Sequence, residues 1–437
     1  MNSLRVFSRG YLMLAAIGAL VGPHVTAQTS VISPLSANDV SWLFPPPTGV
    51  ADLGKLIAVR DLIPQNAPDP TQSQVVWSFS AFRQFLKLAN DAQITLPPAA
   101  QSIDAWFVAG VRIDAGAPGL SEEINGEFGR TPQIRLIVQP VTRDPQGNPI
   151  VLDIAGHLIF NLMLPPVGAA HDGCLPRLTP DMVTFQALVA DIAALRTKLS
   201  TGGLGANKII TAGVPLGVHP GLADQTTARR VRQEMKDLLE RNISDQRLFA
   251  MAIAAVPSPA SSPWIFLSMQ RAPNGDFSAV PIPTLDGLRT TQEFTGSVVN
   301  PAPHTNNLNP ITCKSGAMLP FADRKGSSTA DLFPSPSPSA NPKEILDLIA
   351  DPNRSNFFNT DCVSCHTETR RARSLLHMDA FPGIDPAVLP KADYTVRNFG
   401  WAPPIDGLQA VATRRTATET AAVLAFINSL FLAKLGN

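Results

Sequence analysis

The hydrophobic positions of the first three-quarters of the chain fall into two kinds of pattern. Trp106 to Ile113, Gln133 to Thr142 and Ile150 to Leu164 are strand-like runs rich in β-branched and aromatic residues. The last two are joined by Asp144-Pro145-Gln146-Gly147-Asn148-Pro149, a strong turn signal, so they predict a long hairpin. A helical period follows. Phe185, Leu188, Val189, Ile192, Leu195 and Leu199 fall on one face of a helix expected from Asp181, with Pro180 at its first turn, that stops at Gly202-Gly203. A second, highly charged helix is predicted over Thr227 to Glu240. Trp264 to Arg271 and Phe277 to Ile282, around Pro273-Asn274-Gly275, predict another hairpin. Strands grouped first and helices later argue against a doubly wound parallel sheet, and residues 28–326 are expected to form one α+β domain built of β-hairpins and helices.

The pattern changes beyond that point. Residues 327–342 contain Phe333-Pro334-Ser335-Pro336-Ser337-Pro338-Ser339, a Pro/Ser alternation that reads as an exposed linker. Within residues 343–437 three helices are expected: Lys343 to Ala350, Thr367 to Leu376, and a closing helix. In the last, Thr416 and Glu419 make a capping box, and Val423, Phe426, Ile427 and Leu430 form an apolar stripe that ends at Lys434.

The opposite end of the chain reads as an export signal over residues 1–27. Arg5 and Arg9 supply a positive start, Tyr11 to Val21 an apolar core too short to span a membrane, and Val25-Thr26-Ala27 a cleavage site. The chain carries 35 basic and 35 acidic residues, so removing two arginines leaves 33 against 35. That balance gives no reason to expect nucleic acid or an anionic membrane as a partner. Hydrophobic residues make up 44% of the chain, enough for real cores, and 41 prolines foretell many irregular connections.

Four cysteines remain to be explained. In an oxidising compartment Cys174 and Cys313 are natural disulfide partners, with two separate thiols as the alternative. The other two stand in Cys362-Val363-Ser364-Cys365-His366. Two thiols at that spacing can add to the two vinyl groups of one haem, and the histidine after them is then held beneath the iron. Zinc, a thioredoxin-like redox pair and a plain disulfide are the competing readings of the same residues. Chain context disfavours each: no second Cys/His pair follows, the flanks are not βαβ, and a disulfide leaves His366 without a role.

The C-x-x-C-H run resembles the attachment motif of c-type cytochromes, and the resemblance covers roughly the last hundred residues. It implies a small all-α cytochrome c-like domain over 343–437. The cofactor is then one covalent haem c on Cys362 and Cys365, with His366 as an iron ligand. Cytochromes c place a methionine on the loop well after the motif; here the loop from Phe381 to Arg415 has none. Met378, twelve residues past His366, is the candidate sixth ligand, with His377, a residue of the large domain, or an open position as alternatives. His157 reads as a hydrogen-bonded core residue. Arg370, Arg371 and Arg373 are candidates for haem propionates, and Phe399 and Trp401 for the haem wall. The functional expectation is an exported electron-transfer protein with a redox partner protein. The alternatives are a peroxidase-like haem enzyme or a haem-based sensor, each with an open distal site.

Overall fold

The computed structural model describes residues 34–65, 75–91, 94, 96–117, 131–163, 179–205, 207–255, 264–280, 289–292, 307–309, 314–316, 342–353, 362–391, 397–402 and 407–432. The segment expected to be an export signal (residues 1–27), nearly all of the expected linker (327–342), and both Cys174 and Cys313 lie outside them.

A nine-stranded antiparallel sheet organises the chain. Its strands are β1 (Ser41–Leu43), β2 (Trp106–Ala117), β3 (Thr131–Arg143), β4 (Pro149–Val151), β5 (Ile154–Asn161), β6 (Leu248–Ala255), β7 (Trp264–Arg271), β8 (Phe277–Val280) and β9 (Arg289–Gln292). The order is β1-β2-β3-β5-β6-β7-β8, with β4 also paired to β3 and β9 to β7. Two short strands, β10 (Asn307–Asn309) and β11 (Lys314–Gly316), form a separate pair. The hairpin expected around residues 144–149 is present, but Leu152 and Asp153 interrupt its second arm.

Side chains alternate across a strand, so the pairing register sorts the sheet into two unlike faces. One is apolar throughout: Val111, Ile113, Ile134, Leu136, Val138, Leu158, Phe160, Met251, Ile253, Leu267 and Met269 are each at most 2% exposed. Helix α1 (Phe79–Asp91) lies on this side, where Trp77, Phe82 and Phe85 meet Trp106 edge-on at ring-centroid separations of 5.6, 6.4 and 5.7 Å. Helices α2 (Met182–Thr201) and α3 (Ala228–Asn242) pack together and belong to the same hydrophobic cluster. Asp181 caps α2 by accepting from the Thr184 amide, and Gly202, at φ 78°, ends it in the left-handed conformation. Both ends match the sequence expectation.

The second face mixes charged, polar and small residues with Ile137, Ile159 and Phe266. Register places Arg112, Arg135, Ile159, Ala250 and Gln270 in one row across β2, β3, β5, β6 and β7. The next row holds Gly110, Ile137, His157, Ala252 and Ser268, and the one after it Ala155, Ala254 and Phe266. The C-terminal segment covers part of this face. It comprises α4 (Pro342–Ala350), α5 (Cys362–Leu376), a hairpin of β12 (Phe399–Ala402) and β13 (Gln409–Ala412), and α6 (Arg414–Ile427).

The small all-α unit expected over 343–437 is therefore corrected. The segment contains the β12–β13 hairpin, and its apolar residues share one continuous core with the rest of the chain. Trp401, fully buried, donates its indole N–H to the Phe44 carbonyl at 2.9 Å. Its backbone N–H donates to Gln139 Oε1 at 2.7 Å, and its carbonyl accepts from the same amide at 3.0 Å. Gly110 is needed beneath Phe399, because a Cβ there would stand 2.6 Å from the ring. Ser41 and Thr420 share a hydroxyl hydrogen bond of 2.8 Å, and Asn428 brackets the Leu35 backbone. The expected cap at Thr416 also moves: Thr413 is the N-cap of α6 and accepts from the Thr416 amide. Among the described residues, no helix is long and apolar enough to cross a membrane.

Because Trp401 joins the two segments, Trp401→Ala should lower stability by about 3–5 kcal/mol. Urea unfolding followed by far-UV and aromatic signals should still show one shared transition. Loss of C-terminal signal alone, with the sheet unmoved, would contradict the shared core.

Candidate functional site

Helix α5 begins at Cys362, so the C-x-x-C-H run forms its first turn. What holds that turn in place is the next one. Thr367, Glu368 and Thr369 are fully buried. The Glu368 carboxylate accepts the Arg415 backbone N–H at 3.0 Å, and Thr369 Oγ1 accepts that of Arg414 at 2.8 Å. The first amides of a helix have no partner within it, so α5 caps α6 with two of its own side chains. The guanidinium groups complete the joint. Arg414 bonds Glu368 at 3.1 Å and Asp347 at 2.6 Å, while Arg415 bonds Glu419 at 2.6 Å and the Ile349 carbonyl at 2.9 Å. Glu419 also pairs with Arg112 on β2. Four elements, α4, α5, α6 and β2, thus meet through charges.

Burial decides the state of these carboxyls differently. Desolvation raises Glu368 above the usual carboxylate range despite Arg414. Burial acts on Glu419 the same way, but Arg112 and Arg415 outweigh it and hold its carboxyl well below that range.

The joint aims His366 at the second face of the sheet. Its ring meets Phe266 edge-on, with centroids 5.2 Å apart. Cys365 is a free thiol whose Sγ accepts from Asn398 Nδ2 at 3.6 Å, and burial pushes it up to about 11. His157 stands nearby on β5. Burial pushes its imidazole down to about 3, helped by the charges of His366, Arg135, Arg397 and Arg112. It is therefore neutral at ordinary pH. Among the described residues it makes no hydrogen bond, which departs from the expected hydrogen-bonded core histidine. His219 is the contrast: it has a similarly low value, but its Nδ1 accepts the Gly221 amide at 3.1 Å.

Between His157 and Phe266 the face is built from Ala155, Ala250, Ala252, Ala254 and Ser268. Ala250, Ala252 and Ser268 are half-buried, whereas the opposite face is closed along its length. This is a low shelf beside the motif. Arg397 borders the same site. It is 2% exposed and bonds Asp153 at 2.7 Å, yet its Nε and Nη1 have no acceptor among the described residues. Two buried donors left so cost about 1–3 kcal/mol each, and an anionic oxygen is the partner they suit.

Of the residues singled out from sequence, Cys365 and His366 come together here, and α5 carries Cys362 at its first position. Met378 does not join them. Ten helical residues from His366 to Leu376 place about 15 Å of axis between them. Met378 is half-buried against the core, and His377 before it is exposed at φ 53°. Arg371 donates to Thr367 Oγ1 at 2.8 Å and Arg373 to the Pro390 carbonyl at 2.6 Å, so both serve their own neighbourhood. Phe399 and Trp401 pack on β2 and β3. Sequence reasoning took His157 for a core residue and passed over Arg397. The available signal was the alternation of alanine at 250, 252 and 254, which marks a strand face that something approaches closely. Among the described residues, no group of three His, Cys, Asp or Glu side chains converges on a metal position.

Glu419→Gln should destabilise the protein at neutral pH by an amount at the lower end of the roughly 3–5 kcal/mol typical of a broken buried pair. A carboxyl held below its unfolded value stabilises above the usual glutamate range, about 4.3, and loses that effect as pH falls toward the folded value. The gap between parent and variant should therefore shrink from pH 7 to pH 3 in chemical denaturation. A constant gap would show that the carboxylate's charge does not matter.

Compared with known proteins, the chain matches no family model, no curated protein and no solved structure.

Proposed function

We propose that this is an exported c-type haem protein that transfers electrons, with one haem joined to Cys362 and Cys365 and His366 as an iron ligand. It does so on a fold other than that of the small cytochromes c. The carrying observation is a conjunction: the first turn of α5 directs His366 toward a low, half-open shelf of alanines, and Arg397 borders that shelf with two unsatisfied donors. A flat apolar ring system with two carboxylates fits such surroundings. Small side chains admit its face, and buried guanidinium donors suit its acidic edge.

When bound, the haem supplies a one-electron iron couple. The protein's own part is to hold and shield it. His366 is kept in position by the Glu368 joint two residues away, the sheet keeps water from one side, and Arg397 offers its free N–H groups to a carboxylate. An exported partner protein would deliver and collect the electron.

Replacing Cys362 or Cys365 with Ala should leave a single thioether link. Replacing both should leave a protein that gives up its haem to acid–acetone extraction. The parent, expressed with export and haem-attachment machinery, should retain its haem in the same extraction. Parent protein recovered with zinc, or with no cofactor, would refute the proposal.

A further inference from the structure

The inference below rests on the haem reading and concerns the iron's second axial position. Met378 and His377 follow the far end of α5, about 15 Å along its axis from His366. Reaching the iron from there would require α5 to unwind. The residue that already stands near His366 belongs to the sheet. We infer that His157 on β5 is the second protein ligand of the haem iron, opposite His366, with the alanine shelf seating the ring between them.

Three observations carry this. The first is placement. His157 lies two strands and two residues from Phe266, on which His366 packs, and sheet spacings put their Cα atoms roughly 12 Å apart. The positions between are Ala155, Ala252 and Ala254, so no large side chain of the sheet separates the two imidazoles. The second is availability. His157 is half-buried on a half-open face and makes no hydrogen bond among the described residues, so no protein group competes for its ring nitrogens. Imidazole nitrogen is a common iron ligand. The third is rigidity. His157 is fixed in the centre of the sheet by β3 on one side and β6 on the other, so it can hold a ligand position without any loop closing.

The test uses the full-length, haem-loaded protein. The ferric parent should be low-spin, should lack the weak far-red band of a thioether ligand, and should bind carbon monoxide poorly when reduced. His157→Ala should become high-spin and bind carbon monoxide readily, and added imidazole should restore the low-spin spectrum. His157→Met should gain the far-red band. Met378→Ala should leave the parent spectrum unchanged. The inference is overturned, with the haem reading intact, by any of three results. These are a parent that shows the far-red band, a parent that is high-spin, or a His157→Ala protein that stays low-spin with its haem covalently held. If His157→Ala fails to accumulate, the parent spectrum and the His157→Met band decide the matter. A parent without haem overturns this inference together with the reading beneath it.

Discussion

Two arginines at the start of α6 converge on one buried carboxylate, and the position of the C-x-x-C-H turn follows from that. Glu368 accepts the Arg415 amide and pairs with the Arg414 guanidinium. Arg415 passes the connection to Glu419, and Glu419 to Arg112 in the sheet. Buried ion pairs are seldom the most stable way to fill a volume, since an apolar replacement of the same shape often does as well. Their value here is directional. Each guanidinium accepts only a narrow set of partner positions, so α5 cannot rotate or slide without leaving a charge buried and unmet. His366, two residues before Glu368, inherits that constraint.

The sheet supplies the other half of the arrangement. Its apolar face is closed by helix α1 and large buried side chains. The opposite face has charge at one end, a histidine in the middle and alanines beyond. An alternating strand pattern normally presents such a face to water. Here a C-terminal segment more than two hundred residues away in sequence folds back over it, anchored by Trp401, Gln139 and the Gly110–Phe399 contact. A site made in this way belongs to neither segment alone.

Local chemistry was legible in the sequence; long-range pairing was not. The turn at residues 144–149, the cap at Asp181, the stop at Gly202 and the helices at 228–242 and 342–350 follow from residues within a few positions of each other. The C-x-x-C-H run is likewise local, and the haem proposed for it rests on five residues. The fold of the C-terminal segment misled because helices before and after such a motif are compatible with many architectures. Its actual partners, such as Leu35 for Asn428, are 393 positions apart. Thr416 and Glu419 have the spacing of a capping box, but Glu419 answers to Arg112 and Arg415 and leaves the cap to Thr413. His157 looked like an ordinary core histidine because nothing in its strand reveals that His366 lies across from it.

The central proposal is spatial: a haem would sit between the first turn of α5 and the alanine-lined face of the sheet. Iron anomalous scattering from crystals of the mature, haem-loaded protein tests it most directly. The account predicts one iron per chain, next to the His366 ring and on the side of β5 and β6 that carries His157, Ala250 and Ala252. An iron on the outer side of α5, away from the sheet, or an anomalous signal from zinc at the two cysteines, would contradict it.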